Sequence, residues 1–444
     1  MFIKNPMLDI VKKQKNGIKK GIYSACTANE YVIEAVLERA LKAKEPALIE
    51  ATANQVNQFG GYTGMKPKDY VNFILEIAKK VGFPKEKIIL GGDHLGPLTW
   101  IDENASEAMK KSKELIREYV LAGFTKIHID TSMKVADDKK YEALDTTVIA
   151  ERGAILCEEA EEAYKELLQR FPNAIEPVYV VGSEVPIPGG AQEEESIQVT
   201  KVEDFEATVE TFKNAFYNRN LHEAWKKVIG VVVQPGVEFG DESVHEYNRE
   251  AARELTRALS KYDNIVFEGH STDYQTADSL KRMVEDGIAI LKVGPALTFA
   301  LREGLFALSY MENELFKYDA DVEISNFIEV LDKAMIKNPS NWRKHYHGAG
   351  SKIKYARKYS YSDRSRYYFP TEEVIYAQNI LIKNMKSVEI PLTLINQFMP
   401  IQYNKIRNGL LRNDPEELIK DWVVNCIDEY IYASTPSEVS KQVI

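Results

Sequence analysis

The chain repeats one local pattern eight times, a short apolar run followed by a longer stretch with helical spacing. The runs are rich in Ile, Val or Leu without strict alternation, which is typical of strands buried on both faces of a parallel sheet. The predicted strands are Gly21–Ala25, Ala47–Glu50, Ile88–Gly92, Thr125–Asp130, Pro177–Gly182, Ile229–Gln234, Asn264–Glu268 and Ile288–Val293.

Each run is followed by a predicted helix. Asn29–Ala43 carries apolar residues at helical spacing, Pro67–Val81 begins at a proline, and Asn104–Gly123 begins at a good capping residue and ends at a glycine. The other predicted helices are Thr146–Phe171, Val202–Asn218, Ser243–Tyr262, Tyr274–Gly287 and Ala296–Met311. Eight regular β–α units favour a closed (β/α)₈ TIM barrel over an open doubly wound sheet.

The strand pattern stops near residue 315. Residues 1–314 are therefore predicted to form the barrel, and residues 315–444 a mainly helical C-terminal extension packed on it. Within the extension, Asp321–Ile336, Glu372–Asn384 and Pro415–Tyr432 have helical patterns, whereas Ile390–Leu394 is a short β-like segment at most.

Composition limits the partners and the compartment that we expect. The chain has 57 Lys and Arg against 67 Asp and Glu, a net charge of −10, and no basic block, so neither nucleic acid nor an anionic membrane is an expected partner. No apolar run is long enough for a signal peptide or a membrane helix. Three scattered cysteines argue against a disulfide framework, and together these features predict a cytoplasmic protein.

In such a barrel the active site lies at the carboxyl ends of the strands. His94, Glu184, Glu268 and His270 follow predicted strands three, five and seven, so they should converge at one mouth. Imidazole and carboxylate groups together predict a divalent metal site, with Zn²⁺ expected first and Mn²⁺ or Ni²⁺ as alternatives. The competing interpretation is a metal-free polar pocket in which Glu and His pair with each other.

Two aspartates beside these ligands are candidate catalytic groups. Asp93 precedes His94, and adjacent residues of an extended strand point to opposite faces unless the chain turns. With a turn, Asp93 could act as general acid/base while His94 holds the metal. Asp93 could equally cap the next loop, and Asp130 after strand four has the same two interpretations, with a structural role favoured.

An amide-rich segment follows strand two. Asn54, Gln55 and Gln58 carry groups that both donate and accept hydrogen bonds, which suits a polyhydroxylated ligand such as a sugar. Gly60 and Gly61 allow close backbone approach. A glycine-rich surface turn is the alternative interpretation.

Strands six to eight supply the other predicted substrate contacts. Lys292 and Gly294 precede a predicted helix start after strand eight, where barrels of this type often bind phosphate. The remaining candidates are Gln234, Ser271, Asp273 and, from the basic and aromatic segment Ser360–Tyr368, Arg364. That segment could hold an anion over the mouth, or it could form an interface or part of the core.

Several long motifs in these regions resemble one known family. They are Asn54–Met65, Gly91–Pro97, Gly182–Gly190, Gly269–Gln275 and Lys292–Ala300, and they resemble the Z-type subunit of class II D-tagatose-1,6-bisphosphate aldolase. The resemblance runs nearly end to end and includes Ser360–Tyr368. It implies a subunit that supports a separate catalytic Y-type subunit, although some relatives are regarded as ketose 4-epimerases.

A more distant similarity is to the catalytic class II aldolases. Asp93-His94 matches their acid/base and zinc-ligand pair, and Glu184 resembles their strand-five glutamate. Gln234 stands near the place of their strand-six histidine, and Glu268-Gly269 replaces their His-Gly motif. These departures imply a modified ligand set in which Glu268 and His270 act as substitutes.

Two functions therefore compete. The favoured one is an oligomeric aldolase-family protein with its own metal-dependent pocket for a ketose or ketose phosphate, catalysing retro-aldol chemistry at C3–C4 as an aldolase or a 4-epimerase. Asp93, Glu184 and Asp130 are its candidate catalytic residues. The alternative is a non-catalytic subunit that stabilises and activates a Y-type aldolase. The residues favour the first function and the family resemblance favours the second.

Overall fold

The computed structural model describes residues 4–139, 143–185 and 197–436, and its centre is a closed barrel of eight parallel strands. Every predicted run overlaps one strand, and the predicted fold class is confirmed. The barrel closes where the first strand pairs with the last, with Ile22 opposite Ile290. The strands are β1 Ile22–Cys26, β2 Ala47–Thr52, β3 Ile88–Leu95, β4 Lys126–Ile129, β5 Val178–Val181, β6 Val228–Val233, β7 Val266–Gly269 and β8 Ile288–Val293.

Helices surround the barrel and continue beyond it. Those of the barrel region are α1 Met7–Lys15, α2 Glu30–Ala43, α3 Pro67–Val81, α4 Ala105–Ala122, α5 Thr146–Arg170, α6 Val202–Asn218, α7 His222–Trp225, α8 Arg253–Ala258, α9 Ala277–Glu285 and α10 Pro295–Phe316. Those that follow are α11 Phe327–Lys337, α12 Gly350–Tyr359, α13 Glu372–Lys386, α14 Leu392–Phe398, α15 Pro400–Arg407 and α16 Pro415–Ser434. The cap predicted at Asn104 is confirmed, since its side chain accepts the N–H of Glu107, and Asn29 accepts the N–H of Val32 in the same way.

One predicted barrel helix is largely wrong. In the segment Ser243–Tyr262, Val244–His245 pairs with Glu238–Phe239 in a short antiparallel ribbon, and only α8 and one 3₁₀ turn are helical. The side chain of Asn248 accepts hydrogen bonds from the N–H groups of Glu250 and Ala251, so a local turn replaces the start of the helix.

Two predictions in the extension also need correction. Ile390–Leu394 contains no strand, because Pro391 precedes the start of α14. The predicted helix Asp321–Ile336 begins only at Phe327. The division of the chain at residue 315 stays a prediction, and the last barrel helix, α10, runs on to Phe316.

The barrel interior has an apolar end and a polar end. At the amino ends of the strands, side chains such as Leu48, Ile89 and Ile290 form a cluster with Met7 and Ile10 of α1. The sequence analysis did not predict α1, whose apolar residues close this end of the barrel. A layer of buried charged groups lies beyond this cluster, toward the carboxyl ends of the strands.

The extension packs against the barrel helices and reaches the mouth. α16 lies against α2, α9 and α10, and Tyr430 on it donates to the carbonyl of Thr272 at 2.8 Å. A 3₁₀ turn at Arg364–Tyr367 places basic and aromatic side chains beside the carboxyl ends of the strands. Across the described ranges, no helix is long and apolar enough to cross a bilayer.

Candidate functional site

The polar layer is built from strand positions that point into the barrel. Lys126 and His128 are two residues apart on β4, so both face inward, and each is fully buried. Glu268 on β7 and His270 just beyond it have the same spacing. Gly91 makes room for this layer, because a side chain there would collide with the carboxylate of Glu50 on β2.

A turn within β3 brings both members of the Asp93-His94 pair to the mouth. His94 has φ of 49°, in the left-handed region, and the pairing of β3 with β4 shifts register between Gly92 and Leu95. A non-glycine residue in this conformation costs roughly 1–2 kcal/mol, which the surrounding contacts must offset. The turn that the sequence analysis required is therefore present, and both side chains line one pocket.

Three imidazole rings form a nearly equilateral group, which we call the histidine triangle: His94, His128 and His270. Their ring centres are 5.1 Å apart for His94 and His128, 5.0 Å for His94 and His270, and 5.1 Å for His128 and His270. Three imidazoles bound tetrahedrally to one ion at ~2.0–2.1 Å would have ring centres about 5 Å apart. The ring centres have this spacing, and the ligand atoms of His128 and His270 lie within 4.8 Å of each other.

Each ring of the triangle uses one nitrogen to contact a carboxylate. His94 Nδ1 is 2.7 Å from Asp130 Oδ2, and His270 Nε2 is 3.0 Å from Glu268 Oε1. A carboxylate that holds one ring nitrogen fixes the tautomer and leaves the other nitrogen able to bind a metal. Asp130 thus lies behind His94 and Glu268 beside His270.

His128 also has one ring nitrogen beside a carboxylate, and its other nitrogen has no hydrogen-bond partner among the described residues. Its Nδ1 is 2.9 Å from Asp93 Oδ1, and the backbone N–H of His94 also approaches this nitrogen at 3.2 Å. Its Nε2 is buried and has no hydrogen-bond partner within the described part of the chain. A buried polar atom without a partner is costly, and a bound ion would satisfy it.

Two buried lysines occupy the other side of the layer, in what we call the lysine network: Lys126, Lys292 and Glu50. Lys126 Nζ lies 2.7 Å from Glu50 Oε1 and 2.6 Å from Glu268 Oε2. Lys292 contacts the other oxygen of Glu50, and its Nζ is 2.9 Å from Asp93 Oδ1. Each ammonium group therefore lies between two carboxylates.

The charge of the layer depends on the protonation of its histidines. Burial alone would raise the carboxyl pKa values, but the imidazoles around Asp93, the hydrogen bond from His94 to Asp130, and Lys126 beside Glu268 hold all three pKa values below their usual range. Together with Glu50, these three carboxylates face two lysines, so two negative charges are left for protonated histidines or a bound cation to neutralise, and the carboxylates around His94 raise its pKa. A divalent cation would neutralise this buried excess.

The donor atoms also lie close enough to share an ion. One ligand atom each from Asp93, His128, Glu268 and His270 lies within 4.8 Å of the others, and His94 Nε2 is 3.8 Å from Asp93 Oδ2. Imidazole and carboxylate are ordinary ligands for Zn²⁺, Mn²⁺ or Ni²⁺. The residues present therefore fit a divalent metal. The sequence analysis did not assign His128 to it, although its inward spacing from Lys126 on an apolar strand was a usable signal.

A pocket opens over the histidine triangle and the lysine network. Nine predicted residues line it: Asn54, Gln55, Asp93, His94, His270, Ser271, Asp273, Lys292 and Gly294. The sequence analysis missed the other polar and aromatic groups that line it, which are Cys26, Thr52, Tyr62, Phe239, Arg366 and Tyr367. Amide, hydroxyl and aromatic groups over charged ones suit a polar ligand such as a sugar.

Four predicted residues make other contacts. Glu184 is exposed and accepts a hydrogen bond from Thr200 at 2.7 Å, away from the histidine triangle. Gln58 donates to the Lys111 carbonyl, and Gln234 accepts from the N–H groups of the turn that follows it. Part of the strand-five motif, Pro186–Gly190, lies outside the described residues.

Arg364 is the last of these four predicted residues, and it does not line the pocket. Arg366, two residues further on, lines the pocket instead. Arg364 contacts His345 at 3.1 Å and the hydroxyl of Tyr367 at 3.4 Å. Arg366 donates to the carbonyls of Ser362 and Asp363 and, at 3.1 Å, to the same hydroxyl. These guanidinium groups lower the pKa of Tyr367 despite its burial.

The start of α10, predicted as a phosphate site, is held by a carboxylate of the chain. Asp273 Oδ1 accepts hydrogen bonds from the N–H groups of Gly294 at 3.0 Å and Ala296 at 2.8 Å. Burial raises the pKa of Asp273 to about 6, and the two N–H groups oppose this rise because they stabilise the ionised form. The loop that carries Asp273 is constrained, since Ser271 and Tyr274 both have positive φ.

Comparisons with known proteins agree over nearly the whole chain. The family model described as D-tagatose-1,6-bisphosphate aldolase subunit GatZ/KbaZ-like matches residues 7–435. A Salmonella agona (strain SL483) protein named D-tagatose-1,6-bisphosphate aldolase subunit GatZ is 46% identical over 431 residues, 97% of this chain and 99% of the relative. A Sinorhizobium meliloti 1021 structure, described as a probable tagatose 6 phosphate kinase, has a TM-score of 0.85 at 43% identity and covers 93% of this chain and 100% of that chain.

Proposed function

Because the chain belongs to the D-tagatose-1,6-bisphosphate aldolase subunit GatZ/KbaZ-like family, we propose that it acts in carbohydrate metabolism with a metal-dependent ketose pocket of its own. The proposed chemistry is retro-aldol cleavage at C3–C4 of a ketose. Release of the fragments would make the protein an aldolase, and re-addition through the other face of the aldehyde would make it a 4-epimerase.

The histidine triangle carries this proposal. A barrel core does not need three imidazoles whose ring centres lie 5.0–5.1 Å apart, each oriented by a carboxylate. A divalent ion would satisfy the buried Nε2 of His128 and could neutralise the carboxylates in place of protons on the histidines. An accessory protein that only stabilised a partner would gain nothing from this arrangement.

A bound divalent ion would polarise the ketose carbonyl and stabilise the negative charge that develops on it. Asp93, His128, Glu268 and His270, whose ligand atoms lie within 4.8 Å of one another, would hold the ion, and His94 lies beside Asp93. Asp130 orients His94 by the 2.7 Å contact to its Nδ1. Glu184, which the sequence analysis placed in the site, is exposed and has no part in this proposal.

The chain supplies the groups for the proton transfers. The O–H proton on C4 moves to Asp93, the C3–C4 electron pair forms the C2–C3 double bond, and the C2 oxygen takes the negative charge. The products are an enediolate, an aldehyde and a protonated Asp93, which returns its proton when the enediolate is protonated or re-adds to the aldehyde. Lys292 contacts Asp93 at 2.9 Å and can stabilise the carboxylate between transfers. Asn54, Gln55 and Tyr62 line the pocket and can hydrogen-bond the sugar hydroxyls.

Purified full-length protein tests the proposal directly. We expect about one divalent ion per chain by elemental analysis, and turnover of tagatose or fructose, free or bisphosphorylated, that a chelator removes and the ion restores. His94→Ala should abolish the metal-dependent turnover. Absence of both stoichiometric metal and turnover would refute the enzymatic function.

The names of the relatives favour one alternative. The Salmonella proteins are named as aldolase subunits, so this chain could support a separate Y-type catalytic subunit. The alternative predicts that mixing the two chains gives a complex with higher aldolase activity than the Y-type chain alone, and that His94→Ala has no effect on this gain. Loss of the gain in His94→Ala would instead assign the chemistry to this chain.

A further inference from the structure

The amino end of α10 is the position where a barrel of this type commonly binds phosphate through free backbone N–H groups. In this chain a carboxylate already occupies it. The N–H groups of Gly294 and Ala296 both donate to Asp273 Oδ1, and Pro295 between them has no N–H. The carboxylate of Asp273 therefore occupies the position where a phosphate ligand would otherwise bind.

The next two N–H groups of the helix are also engaged. Those of Leu297 and Thr298 donate to the carbonyl of Gly294 at 3.1 and 3.5 Å. Every backbone donor from Gly294 to Thr298 thus has an acceptor within the chain. A phosphate at this end would find no free backbone N–H group.

The side chains around this position favour a hydroxyl over a phosphate. Asp273 is 3% exposed and lines the pocket together with Ser271 and Arg366. Lys292, which could have neutralised a phosphate, points to Glu50 and Asp93. Arg366 donates both protons of one amino group to backbone carbonyls and so is already engaged.

We propose that Asp273 determines the substrate class by excluding a phosphate from the strand-eight end of the pocket and accepting a hydrogen bond from a sugar hydroxyl there. The ketose would then carry a hydroxyl group on the carbon that reaches β8. The identity of the ligand as a ketose rests on the proposed function. The exclusion of phosphate is a property of the helix start and can be tested separately.

Inorganic phosphate is the first probe, measured by calorimetry on the metal-loaded and the metal-free full-length chain. Wild type should show no phosphate binding at the helix start. Asp273→Gly removes both the charge and the capping oxygen, and should bind phosphate at least ~10-fold more tightly than wild type in both metal states. Asp273→Asn keeps a capping oxygen and most of the shape, and should fall between the two.

Two controls keep the phosphate measurement decisive. Asp278→Asn removes a negative charge at an exposed position and should leave phosphate affinity unchanged. Unfolding midpoints show whether Asp273→Gly is folded, and Asp273→Asn gives the answer if it is not. Equal phosphate affinity in wild type and both Asp273 variants would overturn the proposal.

The second probe compares free fructose with fructose 1,6-bisphosphate on metal-loaded wild type. Binding or turnover of the free ketose, without competition from the bisphosphate, is the expected result. Tighter binding of the bisphosphate would overturn this inference and leave the retro-aldol proposal intact. Failure of both ketoses to bind would refute the proposed function, and the phosphate measurement would still decide the role of Asp273.

Discussion

The lysine network and the histidine triangle are equally buried, but they complete their interactions differently. Lys126 lies between Glu50 and Glu268, and Lys292 between Glu50 and Asp93, so each ammonium group is ion-paired with two carboxylates of the chain. Each imidazole of the triangle has one ring nitrogen within 3.0 Å of a carboxylate oxygen, and the Nε2 of His128 has no hydrogen-bond partner among the described residues. The lysine network is held together by ion pairs within the chain, whereas the histidine triangle has a ring nitrogen that could bind an ion.

The two sides share two carboxylates, and this couples them. Asp93 contacts both His128 and Lys292, while Glu268 contacts both His270 and Lys126. Two lysines beside these carboxylates limit the negative charge that reaches the histidines. We infer that the lysine network sets the positions of the carboxylates, and that these carboxylates orient the rings.

Removal of Lys126 should have the largest effect on stability. Lys126→Met leaves Glu50 and Glu268 buried without their shared cation, and breaking a buried ion pair in this way costs about 3–5 kcal/mol. We expect this loss in the free energy of unfolding measured with denaturant. The control is Lys111→Met, which breaks a partly exposed pair with Glu103 and should cost less than ~1 kcal/mol. Equal losses in the two variants would show that the network is not structural.

Removal of one ring of the triangle should affect metal binding rather than folding. His128→Ala deletes the imidazole whose Nε2 lacks a partner, so we expect metal affinity to fall more than ~100-fold with a much smaller stability loss in the metal-free chain. Metal titration and denaturant unfolding measure the two quantities. His245→Ala, on the exposed ribbon, is the matched control. Unchanged metal affinity in His128→Ala would remove this ring from the site.

The barrel was predictable from sequence because its strands are buried on both faces and read as continuous apolar runs. The helix predicted at Ser243–Tyr262 failed because the Asn248 turn and the ribbon at Val244–His245 override helical spacing. α1 was missed since its apolar residues lie within a lysine-rich segment. They can be recognised only when the open end of the barrel that they cover is known.

The site was predictable only in part, for geometric reasons. Strand ends correctly suggested that His94 and His270 lie near one another, but the inward face of β4, which adds Lys126 and His128, depends on register. Arg366 rather than Arg364 lines the pocket, because the 3₁₀ turn decides which side chain faces the mouth. The closure of the α10 start by Asp273 is a contact between two loops, which no local pattern encodes.

Asp130 offers a smaller change that separates orientation from direct binding. Asp130→Asn keeps the shape beside His94 but weakens the hydrogen bond that fixes its tautomer, and loss of such a carboxylate partner typically lowers metal affinity 10–100-fold. Metal titration should show a loss smaller than that of His128→Ala. A loss as large as that of His128→Ala would mean that Asp130 does more than orient the ring.

Glu238 is a buried carboxylate that belongs to neither the lysine network nor the histidine triangle. Its substitution tests whether burial or nearby charges set the pKa of a buried carboxylate in this chain. Glu238 has no cation within ion-pair distance among the described residues, and burial raises its pKa from 4.5 to about 7, opposite to Asp93 and Glu268. Because its folded pKa is the higher one, its stabilising contribution is complete below pH 4.5 and is lost as pH rises through 7. Denaturant unfolding at several pH values should therefore show Glu238→Gln gaining about 2–3 kcal/mol over wild type between pH 5 and pH 8. A pH-independent difference would mean that partner charges, and not burial, set the ionisation of this carboxylate.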